Sequence, residues 1–445
     1  MQPRGAARRA AGAAAVLAAG ASLLAPGAPL AETPMPDGFL PCFDGALYAT
    51  ADRGALLWSG LDGTRRTVHT LEGGDRWAID QPDAGACSPD GRWAVLFAGL
   101  AHGRPPRLFR VTAAGAAELS APAGLQFWPG PMALSDTALV VSGRTAAGAP
   151  AILWGDTGGA AGSAAAFVTL AGYRPMALAR TPARTVRFVW APESGAVALG
   201  ELGPDGAAIP ERHRWPAAAA AALSPDGAIA ALVEGLSGAV VALRATVSPP
   251  GLPAGAGADR TLPPRPGGAA APVDARRVLF PAARWSGLRF SRDGRRVAAF
   301  EERPREKPPV RLRVAEDGRA LPGSVALVVP PAAVAVDPAL RLLAVPSATA
   351  HASIDLLALP GGALVRRVAG LPPTVPGRDH IAFSPDGATL FLTRTTLVAW
   401  PARAAGDGAG HHLTQDLWAV PVAGGVPRLL ARIIDRDEVR LGGDE

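Results

Sequence analysis

An apolar strand, a tight turn best spelled Ser-Pro-Asp-Gly and a second apolar strand recur along this chain about every 46 residues. A fixed period of this length is the signature of a repeat array, in which each unit buries its apolar faces against its neighbours. The clearest turns are Ser88 to Gly91, Ser224 to Gly227, Ser291-Arg292-Asp293-Gly294 and Ser384 to Gly387. Ser at the first corner, Pro at the second and Gly at the fourth suit a type I turn, so the spelling has a physical reason.

Weaker copies fill the gaps. Asp44-Gly45, Ser135-Asp136, Arg180 to Ala183 and Asp337-Pro338 each lead into an apolar run, such as Ala138 to Ser142 or Leu342 to Val345. With turns at 42, 88, 135, 180, 224, 291, 337 and 384, one interval is long, and it contains the Pro/Gly-rich stretch Ser248 to Asp274, read as a surface insertion. Each unit has room for four short strands, for example His380 to Phe383, Thr389 to Thr393, Asp416 to Pro421 and Arg428 to Ile433. Helical 3.6-residue periodicity is absent over the same span. The expected fold is all-β, a single β-propeller of four-stranded blades over residues 38–434, with eight blades preferred over seven and a tail at 435–445.

Residues 1–31 read as a signal peptide, with Arg4, Arg8 and Arg9 ahead of the apolar Ala10 to Leu24 and a Pro-containing exit, in either a Sec or a twin-arginine form. Cleavage leaves no integral membrane segment, and the expected location is periplasmic or secreted. The formal charge of +6 rests on arginine, since Lys307 is the sole lysine and asparagine is absent, a pattern of codon bias more than of a polyanion partner. No nucleic-acid recognition motif is present, so no nucleic-acid partner is expected. Cys42 and Cys87 occupy equivalent places in the first two repeats, which leaves open a bridge between neighbouring blades or two buried thiols.

Strand alternation sorts the loops onto two ends. The Ser-Pro-Asp-Gly turns and the 248–274 insertion share one; the blade-to-blade links share the other with His102, the run Glu301 to Lys307, His351 and His411-His412. The links carry a second pattern: Arg76-Trp77, Tyr173-Arg174, Arg214-Trp215, Arg284-Trp285 and Arg378-Asp379-His380, with Phe127-Trp128 at the third. Two readings stand side by side. These pairs form a cationic, aromatic-lined channel mouth for a small anionic ligand or an acidic partner loop, or the rings pack between blades with the arginines over them.

Enzyme signatures are thin. Haem attachment needs Cys-x-x-Cys-His, and two cysteines 45 residues apart do not supply it. Asp52 to Trp58 only partly matches the docking phrase of quinone-dependent propeller dehydrogenases, and a lactonase-type metal site needs an asparagine this chain lacks. Asp407, His411 and His412 are the candidates for any metal, and no cofactor is expected. Ile381 to Gly387 and Asp416 to Gly425 resemble the WD40-like repeats of bacterial TolB-type and YncE-type propellers. The resemblance implies an exported propeller. The expected role is a binding or scaffold module for a protein partner or anionic ligand; the alternative is a propeller enzyme or enzyme subunit, such as a quinone-dependent dehydrogenase or a lactonase or lyase.

Overall fold

The computed structural model describes residues 38–50, 52–79, 83–99, 105–135, 138–156, 167–181, 185–191, 197–203, 208–215, 217–235, 237–244, 276–347, 352–373, 380–399 and 411–439. They form eight antiparallel sheets in chain order, each built from consecutive strands: blades at 39–70, 85–119, 125–171, 175–215, 218–280, 284–327, 335–368 and 381–439. Seven sheets have four strands. In blade 6 the fourth strand is split into Arg319–Ala320 and Val325–Leu327, both paired with Val310–Glu316. The one described helical turn is Pro331–Ala333.

What closes the ring is apolar packing between blades. Eight buried clusters each join two consecutive blades, and the eighth sets Phe391, Leu417 and Leu430 of blade 8 against Ala46 and Tyr48 of blade 1. The second strands supply much of this core. Trp93–Ala98 is buried at all six positions, because both faces of a radial sheet are covered by neighbours. A run of this kind stabilises by about 2 kcal/mol for each large side chain removed from water. The fourth strands lie at the periphery, as the mostly exposed Arg65–Thr70 and Leu364–Val368 show.

The recurring turn is a hydrogen-bonded knot. The hydroxyls of Ser88, Ser224, Ser291 and Ser384 donate to the Oδ1 of Asp90, Asp226, Asp293 and Asp386 at 2.5–2.6 Å. The same hydroxyls accept the backbone N–H that opens the next strand, from Trp93, Ile229, Arg296 and Thr389. Gly91, Gly227, Gly294 and Gly387 take φ of 68–75°, a conformation glycine adopts without steric cost. The most repeated polar residues of the chain are thus occupied in making corners.

Two weaker copies solve the corner differently. In blade 1 the loop is Phe43 and Asp44, both at positive φ between paired Cys42 and Gly45, a two-residue hairpin of the type I′ kind. In blade 7 Leu340 stands where glycine is expected, at φ 52°, and it is buried among the blade 6 and 7 core residues, so its packing offsets the strain. The last blade is longer than its sequence pattern suggested. Its strands are Ile381–Phe383, Thr389–Ala399, His411–Pro421 and Arg428–Val439, so residues 435–439 belong to a paired strand and not to a tail.

Neighbouring corners are tied together. Phe43 N–H donates to Gly91 O and Arg292 N–H to Pro338 O. Arg187, buried in blade 4, donates to Gly227 O of blade 5 at 2.7 Å, and Arg296 of blade 6 donates to Leu340 O of blade 7 at 3.1 Å. Cys42 and Cys87, in the first strands of blades 1 and 2, form a disulfide with their Cα atoms 5.8 Å apart. The corners therefore gather at one end of the ring. The leader at 1–31 and the insertion at 248–274 lie outside the described residues.

Candidate functional site

The first strands of consecutive blades are neighbours and surround the axis. Their side chains are half-buried where second strands are buried: Gly85–Cys87, Leu125–Leu134, Ala218–Leu223 and Arg284–Phe290 all retain access to solvent along the channel. Their sequences are FLPC, GAC, LQFWPGPMAL, PMALAR, AAAAAL, RWSGLRF, AV and IAF. No aspartate or glutamate occurs in any of them. The charged residues are Arg180, Arg284 and Arg289, so the wall is apolar with positive charge only.

The three arginines differ. Arg180, last in its strand, donates to the Ser135 hydroxyl at 2.5 Å. Arg284 stands at the link end, largely exposed and paired with Glu302 at 3.1 Å. Arg289 lies between these levels with its guanidinium carbon 5.8 Å from the centre of the Phe300 ring.

The corner end is spanned by a fourth arginine. Arg292 occupies the position that is proline in the other three clear corners. Its Nη2 donates to Pro89 O of blade 2, opposite in a ring of eight, and its Nη1 lies 3.5 Å from Pro385 O of blade 8. A cavity of about 130 Å³ lies beside this bolt, with Asp44, Asp90, Asp386, Phe43, Leu61 and Phe391 in its lining. The Oδ1 atoms of Asp90 and Asp386 are held by the corners themselves, and among the described residues no group of three or more His, Cys, Asp or Glu is arranged for a metal.

At the link end the expected Arg and aromatic pairs separate by role. Trp77 is 1% exposed, between blades 1 and 2, 5.0 Å from the Phe109 ring and 5.9 Å from His69. Trp285 stacks on Phe280 at 5.0 Å between blades 5 and 6, Tyr173 meets Phe188 and Trp190, and Trp215 packs on the core between blades 4 and 5. Arg76 is exposed beside buried Trp77, and Arg174 is exposed beside half-buried Tyr173. His380, half-buried, has its N–H on the Thr393 hydroxyl at 2.9 Å. Arg378, Asp379, Asp407, His102 and His351, and the side chains of Arg214, His411 and His412, lie outside the described residues.

The charged run at Glu301 is neutralised internally. Buried Glu301 accepts from Arg303 at 2.8 Å and from Arg313 at 2.7 Å, while Glu306 accepts from Arg303 and Arg311. Burial raises the Glu301 pKa, but the hydrogen bonds from the two arginines outweigh it and the net shift is downward. The Ser384 hydroxyl and the Ala388 N–H likewise hold Asp386 low, and Ser291 does the same for Asp293. Because these carboxylates sit lower in the folded state than in the unfolded chain, their stabilisation is complete above the ordinary carboxylate range and is lost as pH falls through the depressed values. Denaturant titrations should therefore show stability level near neutrality and falling below about pH 4. Asp386→Asn and Glu301→Gln should each flatten that fall; an unchanged acid limb in both would show that other groups govern it.

Sequence reasoning passed over Arg289 and Arg292. Arg292 had a visible signal, the loss of proline from an otherwise intact corner. Arg289 had a fainter one, a lone charge two residues before a corner in a strand position that is elsewhere apolar or small.

No known protein family matches the sequence, and no curated protein matches it. Among solved structures, similar chains include one from a study of two prolyl endopeptidases, with a TM-score of 0.44 and 13% identity over 78% of this chain and 49% of that one. Prolyl oligopeptidase B from Galerina marginata gives 0.47 and 10% over 80% and 51%, and a candidate 6-phosphogluconolactonase from Bacteroides uniformis gives 0.42 and 14% over 76% and 96%. The chain spans about half the length of the prolyl peptidases it resembles.

Proposed function

We propose that this protein is an exported propeller that binds an anionic ligand through the link-end mouth of its central channel. The observation that carries the reading is the channel wall: eight innermost strands that contain arginines and no carboxylate. Such a wall repels cations and attracts anions over a distance set by ionic strength. Arg76 and Arg174, exposed on links of blades 2 and 4, extend the positive charge to the rim, where Arg284 of blade 6 is exposed in its pair with Glu302. Arg292 bars the corner end, which leaves the link end as the entrance. The leader-like first 31 residues and the disulfide between Cys42 and Cys87 support export to an oxidising compartment.

The test is a titration with octanoate and with inorganic phosphate, repeated at rising salt and in the triple charge reversal of Arg76, Arg174 and Arg284 to glutamate. Anion binding should weaken with salt, and the reversal should slow association at low salt about tenfold or more. Association indifferent to both overturns the reading. Protein purified from its own source should also be scanned for visible absorption and metal. A stoichiometric quinone or metal would replace a binding role with that of a propeller enzyme.

A further inference from the structure

The inner strand of blade 6, like those of blades 3, 4 and 5, breaks register with its second strand, and here the break falls beside an arginine. Ser286 pairs with Phe300, and the next paired residue, Arg289, faces Ala298, so three steps on the inner strand match two on its partner. This is a β-bulge, a feature that re-aims side chains and is common beside functional sites. Gly287 makes it feasible: its φ is +60°, and a Cβ built there would come within 2.6 Å of the Phe300 ring. The one-residue slip has a definite result. Strand side chains alternate between faces, so without the bulge Arg289 would lie on the face opposite Ser286 and Phe300; with it, the guanidinium comes to rest over Phe300.

That placement gives the cation no protein counter-charge. Among the described residues no carboxylate and no carbonyl oxygen takes a hydrogen bond from Arg289, and its only close partner is the ring. Burial alone acts on its pKa, pushing it down. An arginine stays protonated in proteins, so the charge persists where it is poorly hydrated. The side chain nevertheless keeps some access to solvent, which at an innermost strand means the channel. Beside it, the first strand of blade 7 is reduced to Ala335–Val336, the shortest of the eight. Arg289 also lies two residues before Ser291, about 7 Å below the corner end at strand rise, where Arg292 spans the axis.

We propose that Arg289 is the ligand-binding group of the channel and that it takes the carboxylate of a small organic anion whose apolar body lies along the channel wall. The proposal rests on the anion-binding reading above and makes it specific. The planar guanidinium fork matches a carboxylate with two parallel hydrogen bonds. A single such fork leaves a phosphate dianion half-compensated. The stretch toward the mouth carries no charge before Arg284, with Ser286 and Gly287 on the same strand and the alanine run Ala218–Ala222 on blade 5. The Arg284 end of the strand lies about 16 Å away, five residues at strand rise, which gives the length available to the apolar body.

The experiment uses the mature full chain, Arg289→Met and Arg289→Lys, with octanoate and inorganic phosphate as probes in calorimetric titration and thermal melts. Without ligand, Arg289→Met should melt at the wild-type temperature or about 1–3 °C higher, since a desolvated charge without a partner gives way to an apolar chain of similar length. With octanoate, the wild type should gain melting temperature and the Met variant should not. Octanoate affinity should fall roughly 10- to 100-fold in Arg289→Met, with Arg289→Lys between the two. Three results overturn the proposal: a Met variant that melts several degrees lower, octanoate binding equal in wild type and Arg289→Met, or phosphate binding that depends on Arg289 more than octanoate binding does. If octanoate binding ignores Arg289 but still weakens in the triple reversal at the mouth, this site fails and the wider reading stands. Indifference to both fails both.

Discussion

Replacing Trp77 by alanine should destabilise the protein by about 4 kcal/mol, the cost of deleting a fully buried aromatic side chain. The indole is 1% exposed and fills the seam between blades 1 and 2, against Phe109 and His69, while its backbone N–H donates to Arg53 O. A cavity of that size at a blade interface cannot be refilled without moving a sheet, because both walls are rigid ladders. At an unfolding entropy scaled to about 400 residues, the loss corresponds to a melting temperature lower by about 5 °C. The adjacent Arg76→Ala should change stability by less than about 0.5 kcal/mol, as its side chain is in solvent. The contrast separates wedge from ligand contact. If Trp77→Ala melted normally and lost octanoate binding instead, the indole would be a ligand platform and the division of roles at the link end would fall.

Removal of the disulfide should cost about as much. The bridge closes a loop of 45 residues, and loop-closure entropy for that length amounts to about 4 kcal/mol. The double variant Cys42→Ser/Cys87→Ser should therefore melt about 5 °C lower than the oxidised protein, and reduction of the wild type should give the same shift. The bridge does not close the ring; that seam lies between blades 8 and 1 and is apolar. It fixes blade 1 to blade 2 through their innermost strands, so its loss should loosen the N-terminal blade first. Hydrogen exchange should show that order, with blade 1 amides losing protection before those of blades 4 to 6. Equal melting of oxidised and reduced protein would mean that the unfolded chain is not constrained by the link.

The repeat was legible because its corners are local. A Ser hydroxyl bonded to an Asp two residues on, with a glycine at positive φ after it, is determined within five residues, and the spacing of such corners pointed to four-stranded blades, eight in preference to seven. The weak copies at Asp44 and Asp337 were harder to place, since Phe43 takes a left-handed backbone angle in a two-residue hairpin and Leu340 takes one offset by its burial in the assembled ring. The length of the last blade was also hidden, because residues 435–439 are rich in charge and become a strand by pairing with His411–Pro421.

The candidate site was legible only in part. Periodicity located the Arg and aromatic dipeptides on the links, yet it gave no means of telling a ring that wedges two blades from one that faces the mouth. The charged run from Glu301 was placed at the link end by alternation, but its partners Arg311 and Arg313 came from the next strand and only the fold showed the pairing.

By itself the sequence determined the four-stranded blade, the chemistry of the clear corners and the end at which the corners meet, since those depend on contacts a few residues apart, while the choice of eight blades over seven was made by the closed ring. Tertiary structure decided which charges are satisfied. Arg296 and Arg187 find carbonyls on the next blade, Arg292 finds them across the ring, and Arg289 finds none among the described residues, because pairing at those distances is set by the radius and register of the closed ring and not by any neighbour in the chain.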